Sequence, residues 1–499
     1  MNIWYYTLVL DLGGREMFKN MDLTKGTIWK SIILFSLPIF LSYLFQQLYN
    51  ITDAAICGFF LTGDEVAGIN NTGSLNFMIL QFAFGCMAGF SVVTANAIGK
   101  KDIEESRKSL LCQMLLAGII SILLTLIALL SLNTLLSFLG ITKESNINIY
   151  EASYTYTFII FLGCFTQVFY NLAVCFLRAL GDSKMPLIFL IASAILNVFL
   201  DFLFIAGIKM GVAGAALATV ISQLVSAVGC YIYIFVKLKE YRFKKADFKF
   251  ARGFIFRHLK LGLPLGLQSS ILAIGLIMMQ GTMIKFDLRA DGSLGNEVQL
   301  GYSTACKLSS FFATPYNALG TAMISYVGQN YGANELARIR KGILQVSIIS
   351  LLMFVVLTSI GLLLTIDGVY MRVFLGPEKI TPAVIKYGNL YLYCALPFHL
   401  FLCGIFLYRN ALQGIERPLF PFIAGVVELI ARMLVCLFLP TMINGGPINN
   451  MANDASYIAF CFADNLSWLF AAITLLIGLI LFFRGIKNEK NDSLLKEAI

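Results

Sequence analysis

LIFLIASAILNVFLDFLFIAGI, residues 187–208, is long enough to cross a bilayer and contains a single charged group, Asp201, with Asn197 one helical turn before it. A helix of that length, at about 1.5 Å per residue, matches a hydrocarbon layer about 30 Å thick. A carboxylate at the centre of such a helix costs roughly 2.5–3.5 kcal/mol on insertion scales, so it normally faces a watery cavity or a partner. The stretch implies a membrane-embedded chain in which Asp201 has a task.

The rest of the chain extends this reading. Of its 499 residues 58% are hydrophobic and 13% charged, with a mean hydropathy of +0.80, whereas soluble domains carry about 25% charged residues. Apolar runs of bridging length fall near 31–56, 68–98, 109–139, 152–175, 187–208, 211–236, 259–284, 300–327, 342–366, 385–408, 419–443 and 455–483. An all-α polytopic membrane protein with about twelve transmembrane helices is expected. With the N-terminus inside, 28 of the 37 Lys and Arg fall in cytoplasmic segments and 7 on the other side, leaving Lys307 and Arg432 within spans. That bias places both termini in the cytoplasm of a cell (inner or plasma) membrane. The net charge of +9 thus reflects topology, and the basic loop 237–260 is read as a cytoplasmic retention signal touching anionic lipid, with no nucleic-acid role.

Eleven cysteines are scattered through the spans with no C-x-x-C pair, and His258 and His399 are the only histidines. Neither a disulfide framework nor a histidine metal site is indicated. No nucleophile, metal or acid–base cluster for an enzyme stands at a membrane edge. The first sixteen residues lack a signal-like cleavage region, and Met1, Met17 and Met21 are all candidate starts.

The chain also resembles itself. Gly99 in Ala95-Asn96-Ala97-Ile98-Gly99-Lys100-Lys101-Asp102 matches Gly332 in Gly328-Gln329-Asn330-Tyr331-Gly332-Ala333-Asn334-Glu335, 233 residues on. Ala179, Leu180 and Pro186 match Ala411, Leu412 and Pro418, and Leu37-Pro38 and Leu263-Pro264 open each half. Two six-helix bundles related by a pseudo-two-fold axis along the membrane normal are expected, as in transporters built from parallel repeats. The divisions are a lead-in at 1–30, an N-lobe at 31–236, a basic linker at 237–258, a C-lobe at 259–483 and a cytoplasmic tail at 484–499.

Polar stripes recur at helical spacing in the first half: Gln46, Asn50 and Asp53; Gln167 and Asn171; Asn197 and Asp201; Thr219 and Gln223. The amides and threonine suit interhelical hydrogen bonds or a polar cavity. The costly Asp53 and Asp201 point to function, either ligating a monovalent cation such as sodium or carrying a proton. In the second half Glu428 and Arg432 form an i, i+4 pair, Lys307 is placed to snorkel, and Asp464 falls near a membrane interface.

These motifs resemble the multidrug and toxic compound extrusion (MATE) family from Met21 onward. The resemblance rests on Met21-Asp22-Leu23-Thr24-Lys25-Gly26, Leu37-Pro38 with Gln46-Gln47-Leu48-Tyr49-Asn50, Asp53 with Gly58, Leu177-Arg178-Ala179-Leu180-Gly181-Asp182, Asn197 with Asp201, Gly211-Val212-Ala213-Gly214 through Thr219, and Val327-Gly328-Gln329-Asn330-Tyr331-Gly332-Ala333. It implies a monomeric exporter of small organic, mainly cationic, compounds, coupled to sodium or protons and needing no other cofactor. By the resemblance Asp53, Asn197, Asp201 and Thr219, with Asn171 nearby, bind the coupling cation, sodium included, and Pro38 is the bending point of the first helix. The spans at 259–284 and 385–408 lack acids, so the arrangement is similar to the DinF type. A lipid-linked precursor flippase of the same superfamily is the alternative.

Overall fold

The computed structural model describes residues 20–144 and 146–497, with side chains described up to 485. The first nineteen residues, including the candidate starts Met1 and Met17, lie outside it. Fourteen α-helices account for the fold among the described residues: α1 Ile28–Phe60, α2 Gly63–Gly99, α3 Ile103–Phe138, α4 Ile147–Leu162, α5 Cys164–Ala179, α6 Lys184–Asp201, α7 Val212–Val236, α8 Arg252–Lys285, α9 Glu297–Gly332, α10 Leu336–Leu364, α11 Met371–Phe374, α12 Pro382–Gly414, α13 Leu419–Asn444 and α14 Asp454–Glu497. Exposed apolar side chains such as Leu123, Ile127 and Leu130 on α3 are what a bilayer would cover.

Among the described residues ten helices are long and apolar enough to cross a membrane, or eleven spans when α4 and α5, bent by 47°, are counted together as one. The bend falls at Gly163, where a Cβ would run into the Val220 side chain of α7. The span expected at 300–327 is α9, whose 36 residues suffice in length at about 1.5 Å each. Polar residues including Lys307 dilute its apolar character, and Lys307 is exposed.

The helices gather into two compact units. One holds the described residues up to Gly262 together with Thr321–Lys341; the other holds Leu263–Gly320 and the chain from Gly342. In the first unit α1 packs on α6, α6 on α7, and α7 on both α4 and α5. In the second, α14 packs on α12 and α13.

The first unit contains two copies of one backbone motif. At the end of α2, Lys101 (φ 60°) closes the helix while the N–H groups of Lys100 and Asp102 donate to the Asn96 and Ala97 carbonyls. At the end of α9, Asn334 (φ 60°) does the same as Ala333 and Glu335 donate to Gln329 and Asn330. Both are Schellman-type closures at the spacing of the sequence repeat. The two ends also meet: a Cβ on Gly99 would collide with the Gln329 carbonyl oxygen, and one on Gly332 with that of Asn96.

Residues 21–26 are strapped across the same region. Met21 N–H donates to the Gly181 carbonyl (3.0 Å) and Leu23 N–H to Gln329 Oε1 (3.0 Å). Gln329 Nε2 donates to the Ala179 carbonyl (2.9 Å), and Asn330 Nδ2 to that of Leu23 (3.1 Å). Arg338 donates to the carbonyls of Lys25 and Gly26, each at 3.2 Å.

The basic segment before α8 is also tied down. Arg107 of α3 pairs through Nε with Asp247 Oδ2 and through Nη2 with Oδ1 at 2.9 Å, both side chains being buried. The guanidinium and the Lys244 N–H hold the Asp247 carboxyl below its ordinary 3.8. Its contribution to stability is therefore complete above about pH 4 and is lost as the pH falls through the depressed value. Asp247→Ala strands Arg107 and should cost about 3 kcal/mol, whereas an Arg107→Met, Asp247→Leu double variant should recover most of it. Thermal midpoints at neutral pH and near pH 3 check this: the gap between wild type and Asp247→Ala should narrow in acid.

Candidate cation site

Asn197 and Asp201 are fully buried at the end of α6, where the chain leaves the α-helix for a π turn, Phe202–Gly207. Such wide turns are frequent at functional sites. Asp53 comes from α1 and Thr219 from α7, the two helices flanking α6. The Asp53 and Asp201 carboxyl groups lie close enough to act directly on each other. Neither oxygen of Asp201, nor Asp53 Oδ1, nor either polar atom of the Asn197 side chain has a hydrogen-bond partner, although all are buried.

Three residues not singled out in the sequence join them. Tyr49 and Cys57 flank Asp53 by one turn on either side, and Tyr156 comes from α4. All three are close enough to feel both carboxylates, and the Tyr49 hydroxyl lies within reach of that of Thr219. The i±4 spacing of Tyr49 and Cys57 about Asp53 was a usable signal, hidden because both pass as ordinary residues of an apolar helix.

The remaining sequence candidates are placed differently. Gln46 and Asn50 are exposed, while Gln167 and Gln223 are half-buried. Asn171 is half-buried and accepts a hydrogen bond from Cys175 of its own helix (3.5 Å). Pro38 is buried within α1, which continues through it, and its carbonyl accepts from Ser42 Oγ at 2.8 Å.

A fully buried carboxylate without a donor, next to a second, half-buried one, is an unstable combination at low dielectric, since a buried ion costs several kcal/mol unless compensated. A proton shared between them, or a monovalent cation ligated by them with the Asn197 amide oxygen, removes the penalty. Chemically, the arrangement can accept a proton or a monovalent cation.

In the second unit the charged residues depart from expectation. The Glu428–Arg432 pair forms at 3.0 Å, but Asp464 is buried rather than interfacial and accepts from Arg432 Nε at 3.0 Å. Arg409, just beyond the apolar run 385–408, lies within α12 and pairs with Glu428 at 3.0 Å. Arg432 and Lys307 are thus not the only cations carried by the membrane-length helices.

Comparison with known proteins agrees with this architecture. The MatE family model matches residues 38–203 and 290–438. The probable multidrug resistance protein YpnP of Bacillus subtilis is 30% identical over 322 residues, covering 64% of this chain and 69% of the relative. The probable multidrug resistance protein NorM of Thermotoga maritima is 24% identical over 421 residues, 82% of this chain and 85% of the relative. A crystal structure of MATE in the straight conformation superposes with a TM-score of 0.79 at 20% identity, covering 94% of this chain and all of that one. The chain belongs to the MatE family of multidrug and toxic compound extrusion transporters.

Proposed function

We propose that the protein is a cation-coupled antiporter that exports small organic, mainly cationic, compounds by alternating access, using sodium or protons bound at Asp53 and Asp201. The observation that carries this reading is the fully buried Asp201 carboxylate, neither of whose oxygens has a donor, beside the half-buried Asp53, whose Oδ1 is likewise without one. Asn197 and Thr219 complete the site as neutral oxygen ligands. A coupling ion shifts the conformational equilibrium only by its difference in affinity between the two states. A site that is electrostatically costly when empty and relieved when filled supplies such a difference. The chain is taken to act as a monomer in the cell membrane with both termini cytoplasmic.

Membrane vesicles containing the protein and loaded with ethidium test the reading when sodium and proton gradients are imposed separately. At least one gradient should accelerate efflux several-fold over vesicles lacking the protein. Indifference to both would overturn the proposal and favour a lipid-linked precursor flippase.

A further inference from the structure

A charged cluster in the second unit reverses the chemistry of the cation site, because the unpaired atoms of its side chains are donors. Arg432 on α13 is 4% exposed. Its Nη2 donates to Asp464 Oδ1 at 2.9 Å and to Glu428 Oε1 at 3.0 Å, while its Nε donates to the same Asp464 oxygen. Arg409 donates from Nη2 to Glu428 Oε2 at 3.0 Å, and the Tyr391 hydroxyl donates to Asp464 Oδ2 at 3.2 Å. Every carboxylate oxygen of the cluster is thereby occupied. Arg432 Nη1 and Arg409 Nε remain buried with no acceptor. Gly275 of α8 makes room for the first, since a Cβ there would stand 3.0 Å from Arg432 Nη1.

We propose that this cluster is an oxyanion subsite for a carboxylate or phosphate group on the transported molecule. Arg409, the less buried guanidinium at 11% against 5% for Arg432, makes the contact. Arg432 is a positioning residue: it fixes Glu428, and Glu428 fixes Arg409. Arg409 keeps its Nε–H free beside the Nη2 that holds Glu428, and a guanidinium, with its several fixed N–H groups, matches a planar or tetrahedral oxyanion better than an ammonium does.

Charge balance narrows the substrate class. Two arginines and two carboxylates already cancel, so a bare anion would leave one net negative charge in a low-dielectric setting. A zwitterion brings its own compensation. The subsite therefore takes organic cations that also carry an anionic group. This step rests on the export reading for the claim that the ligand is cargo, but binding can be measured without transport.

The test uses the full chain purified in detergent, with no gradient, and two fluorescent dyes: a rhodamine bearing a free carboxylate and its methyl ester, which keeps the cation and loses the anion. Wild type should bind the free acid about tenfold more tightly, the scale of one hydrogen bond to a charged group. Arg409→Gln should erase that preference by weakening the acid alone, and Arg409→Lys should retain part of it. Equal wild-type affinity for the two dyes would overturn the subsite, whether or not the Gln variant folds. An equal loss for both dyes in a variant with the wild-type thermal midpoint would overturn it too. A persistent acid preference in protein that shows no gradient-driven efflux would sink the export reading and leave the subsite standing.

Discussion

Asp201→Asn should reduce gradient-driven efflux more than tenfold while leaving the protein at least as stable as wild type. The two effects have one cause. Asn keeps the shape of the side chain but can neither take up a proton nor offer a charged ligand. Both oxygens of Asp201 are buried without a donor, so the charge it removes is one the fold does not compensate. Relieving it should hold or raise the thermal midpoint, because an uncompensated buried charge is worth several kcal/mol against folding. Driving a two-state equilibrium from 1:99 to 99:1 takes about 5.5 kcal/mol of differential binding, which the remaining acid, Asp53, would have to supply alone. Efflux assays at matched expression, paired with thermal midpoints of the purified variant, check both halves. Full efflux in Asp201→Asn would remove Asp201 from the coupling site. A midpoint that falls by many degrees would mean that its role is structural.

The second large effect is expected at Gly99. Its missing side chain lets the ends of α2 and α9 meet backbone to backbone, and a Cβ there would collide with the Gln329 carbonyl oxygen. A flexible side chain could yield to the intruding methyl; a helical carbonyl cannot. Gly99→Ala should cost about 3 kcal/mol, the upper end for overpacking, read as a lowered thermal midpoint. Gly332→Ala, which meets the Asn96 carbonyl, should cost a similar amount. The double variant should cost less than the two together, because both displace one interface. Gly118→Ala is the control: nothing lies within 4 Å of the added atom, and exchanging Gly for Ala inside a helix is otherwise favourable. A Gly99→Ala midpoint equal to that control would contradict the close approach.

Expensive residues were the legible ones. Asp53 and Asp201 stood out because a carboxylate in an apolar span demands compensation, and the repeat marked Gly99 and Gly332 as equivalent positions 233 residues apart, though not that their helix ends meet. Features that depend on where a helix ends were not legible. Arg409 follows an apolar run directly and reads as loop, yet α12 continues to Gly414 and carries it inward. Asp464, expected at an interface, already lies nine residues inside its apolar run at 455–483. Helix α14 begins at Asp454, which sets Asp464 about 15 Å along the helix, and its burial comes from Arg432, a partner on another helix that spacing along one helix does not disclose. The bend at Gly163 lies inside a continuous apolar run. The π turn after Asp201 reflects backbone pairing, which side-chain pattern does not encode. Tyr49 and Cys57 were missed for another reason: their spacing from Asp53 was plain, but neither residue is costly enough in a membrane to call for an explanation.

The strap at residues 21–26 has a consequence for biogenesis. Leu23 leaves the ribosome before any of the described helices, yet the side chain that receives its N–H, Gln329, follows 306 residues later. At about 5–20 residues per second the delay is roughly 15–60 s. Through that interval α1 to α7 can be in the membrane while their own N-terminal peptide waits for partners. The first unit therefore cannot close in the order in which it is synthesised. Its completion depends on Gln329, Asn330 and Arg338 from the far half of the chain, so a nascent chain released before the end of α9 would leave the Leu23 and Gly26 backbone groups open to chaperones and proteases.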